Sequence, residues 1–300
     1  MPTIIARDGE RLYYRSLGSG PSVMLLHGFG MHSGHWLPFA TYLSRKFTVI
    51  LPDLRGFGRS HHSMFNQQCT VSNFAEDMED LCKYLGLNTV KLAGISMGAL
   101  TALKYFEKYG TKRISAYLHI DQSPCCANNE SWQWGLFGSD HDIRIQRGER
   151  LMQALQPFIE NNTRYENLPK ALRDQLQHEF GEFFASALSK PAHKFIARKL
   201  MANAFTAKQI LPVSNWPAYA YCLTSYIREG YDLRAVLPSI DIPISVIAGL
   251  RSEMYPVGGQ LRIADYAPNT EVIRFDRSGH TPLIDQPIKF SQELMRFASA

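Results

Sequence analysis

The sequence predicts an α/β fold: a largely parallel sheet with helices on both faces and a block of helices inserted into it. Short apolar runs of strand length alternate with stretches of helical spacing up to about residue 123, and again from about 238 to the end. Between Pro124 and Pro238 the strand-like runs stop, and the chain turns helical and rich in aromatic residues. A third observation marks the centre of the pattern. Gly94-Ile95-Ser96-Met97-Gly98 stands directly between an apolar strand-like run and a helical stretch.

In chain order, Thr3 to Ala6 and Arg11 to Ser16 read as a hairpin turning at Asp8-Gly9. Val23 to Leu26 is a buried-strand run that ends at His27-Gly28-Phe29-Gly30, and a helix follows around Trp36 to Leu43. Phe47 to Leu51 is the next strand, running into the loop Asp53-Leu54-Arg55-Gly56-Phe57-Gly58-Arg59-Ser60. Phe74, Met78, Leu81 and Leu85 recur at helical spacing within Val71 to Leu85. Thr89 to Ala93 is the strand before the serine, Met97 to Tyr109 the helix after it with Gly110 as its stop, and Ile114 to Ile120 a further strand. In the insertion, Pro191, Pro212 and Pro217 read as helix boundaries. Strand Ile244 to Ala248, a helix near Gly259 to Tyr266, strand Glu271 to Phe275 and helix Leu283 to Phe297 complete the chain. The expected organisation is a core of residues 1–123 and 238–300 with a helical lid at 124–237.

Composition excludes several classes. Lys and Arg exceed Asp and Glu by five in 300 residues, but the excess is spread out, so no nucleic-acid groove is expected. No apolar run approaches the roughly 18 residues of a membrane span, and the N-terminus lacks the layout of a secretory signal. Five cysteines without metal or C-x-x-C spacing read as reduced thiols in a cytoplasmic protein. Neither a phosphate-cradling glycine loop nor a metal triad is present, so neither cofactor nor metal is expected.

The chemistry gathers at the serine. A hydroxyl on a sharp turn between strand and helix needs a base to take its proton, a carboxylate to orient that base, and amides for the developing oxyanion. His280, in Ser278-Gly279-His280-Thr281-Pro282 after the last strand, is the candidate base. His27 reads as a structural hydrogen-bonding residue and His32 and His35 as residues near an entrance. His61, His62, His141, His178 and His193 read as surface residues, and His119 lies inside a strand. The amides of Met97 and Phe29 are the candidate oxyanion donors, since glycines beside Phe29 let the backbone curl inward.

The set HGFG at 27–30, DLRGFGRS at 53–60, GISMG at 94–98 and SGHTPLIDQP at 278–287 resembles the α/β-hydrolase fold superfamily, and most of all its capped esterase and lactonase-like branch. The resemblance implies nucleophile Ser96, base His280 and oxyanion amides at Phe29 and Met97, with Asp53, Arg55, Gly56 and Gly58 shaping a loop. The chain departs from the pattern at the acid. Many members carry an aspartate three residues after the glycine that ends the strand Ile244 to Ala248, and here that position is Ser252. Two candidates remain. Asp121 ends the strand after the serine's helix, which a right-handed crossover places beside the serine's own strand, and some relatives carry their acid there. Glu253 is the other, one residue beyond Ser252.

The implied activity is hydrolysis of an apolar carboxylic ester or lactone through an acyl-enzyme on Ser96. Carbon–carbon bond hydrolysis and cofactor-free perhydrolysis on the same residues are alternatives, and a ligand receptor that has lost turnover is a different class altogether. The expected partner is the small substrate itself, with the chain a monomer or homodimer.

Overall fold

In the computed structural model, which describes residues 2–66, 69–203, 205–207 and 215–300, eight strands build one sheet. They are β1 (Thr3–Ile5), β2 (Arg11–Leu17), β3 (Ser22–Leu26), β4 (Thr48–Pro52), β5 (Val90–Ile95), β6 (Ile114–Ile120), β7 (Ile244–Gly249) and β8 (Thr270–Phe275). Their order across the sheet is β1-β2-β4-β3-β5-β6-β7-β8. The β1–β2 and β2–β4 pairs are antiparallel, and every later pair is parallel. The sheet is therefore mixed but mostly parallel.

The continuous apolar runs of the inner strands follow from burial on both faces. Met24, Leu26, Ile50 and Leu92 point to one side, where α2 (Thr70–Tyr84) and α3 (Met97–Tyr109) contribute Phe74, Met78, Leu100 and Leu103. Val23, Leu25, Val49, Leu51 and Ala93 point to the other, against Phe39 and Leu43 of α1 (Leu37–Leu43) and Phe290, Leu294 and Phe297 near the C-terminus. Alternate residues of one strand thus feed two separate cores.

The chain leaves the sheet after β6 and returns at β7. Between them lie α4 (His141–Glu160), α5 (Lys170–Ala187), α6 (Pro191–Ala202) and α7 (Trp216–Glu229). Pro191 is the first residue of α6 and Pro217 the second of α7, both in the opening turn, where the amide hydrogen has no partner within the helix. Pro212 lies outside the described residues. Among the described residues, no helix is long and apolar enough to cross a membrane.

Three readings need correction. The single C-terminal helix expected from Leu283 is two, α10 (Pro282–Asp285) and α11 (Pro287–Ser299). Pro287 has no N–H to give to the preceding turn, and its ring disfavours a helical residue before it. The helix expected near Gly259 to Tyr266 is likewise split into α8 (Val257–Leu261) and α9 (Ile263–Tyr266). His141 is not a surface residue: it is buried, with Nδ1 against the Leu136 carbonyl at 2.8 Å.

The loop after β4 carries structural charges. Asp53 accepts from the Ser33 amide at 2.5 Å and the Arg59 amide at 2.8 Å. Arg55, only 1% exposed, pairs with Asp77 through Nη2 at 2.6 Å and with Asp8 through Nη1 at 2.6 Å. His27 and His119 are buried and neutral for a common reason. Each donates one ring N–H to a carbonyl, His27 Nδ1 to Gly28 and His119 Nε2 to Gln122. Each is left with a nitrogen that accepts, from the Leu54 amide and the Tyr117 hydroxyl respectively.

Burial pulls both rings down to about 4 from an ordinary value of 6.5. The unfolded chain binds these protons below pH 6.5, and the native state refuses them until about pH 4. Stability is therefore full above pH 6.5 and falls as pH drops through that window. The urea midpoint should be lower at about pH 5 than at pH 7, with a smaller drop in His119→Gln; an equal midpoint at both would refute the assignment.

Candidate active site

β5 delivers Ser96 into a turn with φ 53° and ψ −120°, and α3 starts at the next residue. A non-glycine residue held at that positive φ costs of order 1–3 kcal/mol, which the surrounding packing must sustain. The flanking glycines make the turn possible. A Cβ on Gly94 would meet the Gly98 carbonyl oxygen at 2.4 Å, and one on Gly98 would meet the Leu26 carbonyl oxygen at 2.5 Å. The Ser96 amide donates to Ile120 O at 3.0 Å, so the serine lies beside the end of β6.

Asp121 follows directly after β6. It too has a positive φ, 42°, and is fully buried. Aspartate tolerates this left-handed region better than most side chains. Its amide continues the ladder to Ile247 O of β7 at 2.9 Å, and its carboxylate reaches the loops beyond β7 and β8. Oδ1 accepts from His280 Nδ1 at 2.9 Å and from Ser252 Oγ at 2.7 Å, and Oδ2 accepts from the Gly249 amide at 2.7 Å. A carboxylate that only accepts places the His280 proton on Nδ1, which leaves Nε2 as a free acceptor. His280 is 5% exposed, and the Tyr255 ring lies 5.7 Å from its own.

Glu253 is placed elsewhere. Its side chain is 59% exposed and forms an ion pair with Lys194 of α6. The structure joins His280 to Asp121 and not to Glu253.

Met97 is the first residue of α3, so its N–H has no acceptor within that helix. Phe29 follows Gly28, whose added Cβ would stand 3.3 Å from Ser96 Cβ. Among the described residues neither amide has a backbone or side-chain acceptor. The Phe29 ring is packed between core and insertion: it lies 5.7 Å from Phe57, 5.1 Å from Tyr219, 5.3 Å from Phe183, and parallel to Phe180 at 6.1 Å.

Ser96 and Phe29 open into a cavity between the sheet and the inserted helices, walled by apolar side chains that include Leu136, Leu151, Met152, Phe180, Phe183 and Leu223. Tyr226 and Tyr255 are part of the wall, and burial holds both phenols well above their ordinary value. Charge enters the lining on α4 and α5, where Arg147 pairs with Glu179 at 2.7 Å. His32 and His35 are not in this lining; they cap the short turn Ser33–Trp36.

Sequence reasoning missed what Ser252 does. It stands where the resemblance led an acid to be expected, and its hydroxyl donates to Oδ1 of Asp121 at the end of the neighbouring strand β6. His119 went unread as well. Through Gln122 O it fixes the loop that starts at Asp121.

A family model described as alpha/beta hydrolase fold matches residues 21–287. The chain is 28% identical to a pimeloyl-[acyl-carrier protein] methyl ester esterase of Pseudoalteromonas atlantica over 283 residues, covering 94% of this chain and 95% of that protein. Among solved structures, an esterase from Exiguobacterium antarcticum superposes with a TM-score of 0.75 at 20% identity, covering 99% of both chains. An enol-lactonase from Burkholderia xenovorans gives 0.74 at 18% identity, covering 100% of both.

Proposed function

Since the chain belongs to the alpha/beta hydrolase fold family, we propose that it is a serine hydrolase of apolar carboxylic esters or lactones, with Ser96, His280 and Asp121 as its triad. The observation that carries this reading is the buried Asp121–His280 pair at 2.9 Å, set at the strand end beside a serine held at φ 53°. The curated relative and the solved structures named as esterase or lactonase support the substrate class.

In this reading His280 Nε2 takes the Ser96 proton as Oγ attacks the carbonyl carbon. The carbonyl oxygen becomes an oxyanion, and the amides of Phe29 and Met97 donate to it. Asp121 keeps Nδ1 protonated and stabilises the imidazolium, without taking a proton itself. His280 then protonates the departing alcohol oxygen as the tetrahedral centre collapses to the acyl-enzyme. A water molecule, deprotonated by the same Nε2, releases the acid and restores the serine. The helices between β6 and β7 serve as the lid. Their apolar wall favours a hydrocarbon or aromatic group on the acyl or alcohol side.

The test is active-site titration with a p-nitrophenyl ester. A burst of about one nitrophenolate per chain is expected, together with a fluorophosphonate adduct mapped to Ser96. No burst, with reversible ligand binding retained, would support a receptor instead. A panel of esters of increasing chain length, run beside a diketone and a peroxide assay, separates ester hydrolysis from the two other reactions. Faster turnover of the diketone than of every ester would overturn the substrate class.

A further inference from the structure

The Asp121 carboxylate is held from two directions. His280 reaches it from the loop after β8, and the turn after β7 supplies both the Ser252 hydroxyl and the Gly249 amide. That turn is closed by the Ser252 amide on Gly249 O at 3.1 Å. The Tyr255 amide donates to Ser252 Oγ at 3.4 Å, which occupies a lone pair of the hydroxyl and directs its proton to Asp121. The contact tolerates nothing larger. A Cβ on Gly249 would stand 2.6 Å from Asp121 Oδ2 and 2.2 Å from Gly279 O.

From this geometry we infer that Ser252 is a positioning residue of the triad: its hydroxyl fixes the Asp121 carboxylate that orients His280. This inference rests on the triad reading given above. Ser252 Oγ and His280 Nδ1 share one oxygen, at 2.7 and 2.9 Å. As the protein stands, the hydroxyl fixes the carboxylate against rotation and so keeps the imidazole aligned. It also draws negative charge away from His280.

Two variants test the inference, assayed on an activated ester with thermal melts as the control for folding. Ser252→Ala should lower kcat about 10–100-fold with little change in KM, and Ser252→Thr should recover most of the loss. Removing the donor leaves the carboxylate more negative towards the imidazole, so the acidic limb of kcat/KM should move to higher pH in Ser252→Ala. Ser252→Ala with the parent kcat and pH profile would overturn the positioning role while leaving the triad intact. Parent-like turnover in Asp121→Asn alone would instead remove the triad reading itself.

Discussion

Asp121→Asn is expected to lower kcat on an activated ester by roughly 10⁴-fold with the fold intact. Asparagine fits the same space and tolerates the 42° backbone angle, so the variant should melt near the parent. What changes is the partner offered to His280. An amide can turn its NH₂ to Nδ1, which drives the imidazole proton to Nε2, the atom proposed to accept from Ser96. The imidazolium of the transition state also loses its counter-charge inside a site where Asp121 is fully buried and His280 is 5% exposed. Glu253→Gln should keep most of the activity, because Glu253 faces solvent and Lys194. Measuring kcat for both variants decides the matter: a collapse in Glu253→Gln with Asp121→Asn near normal would move the acid to Glu253.

Ser96→Ala should remove the burst altogether and lower steady-state turnover by roughly 10⁶-fold, since triad residues act as a unit. Binding of a non-hydrolysable ester analogue should survive, because the cavity wall is built by the inserted helices and the β7 loop. Calorimetry on the variant measures this directly. A Ser96→Ala protein that still released a full equivalent of nitrophenolate in the burst would place the nucleophile at another residue. Alanine should also tolerate the elbow's φ of 53° no better than serine does, so a large gain in melting temperature is not expected.

Much of this arrangement was legible beforehand because it depends on local patterns. The apolar runs of β3, β5, β6 and β7 are short and bounded, and the spacing of Phe74, Met78 and Leu81 marks α2 without tertiary help. The elbow could be read because small residues at 94 and 98 are what so tight a turn requires. Asp121 could be proposed because parallel strand ends converge, and its amide does continue the ladder to β7. What escaped depends on contacts far apart in sequence. His141 is buried by how its helix packs, and Ser252 gains its role from a turn whose partner lies 131 positions earlier. The break at Pro287 was there to be read; the amphipathic spacing on either side of it masked the boundary.

The ring of Phe29 ties two events together. Its backbone amide is the proposed anion donor, while its side chain is wedged among Phe180 and Phe183 of α5 and Tyr219 of α7. Any outward swing of those helices that admits a substrate strips neighbours from the ring and loosens the peptide on which it sits. On the proposed reaction, entry and reactivity would then be opposed: an open arrangement would load substrate with the Phe29 peptide less firmly held, and closure over the bound molecule would restore its support. A hydrolase so built would hold back its chemistry until the substrate is seated.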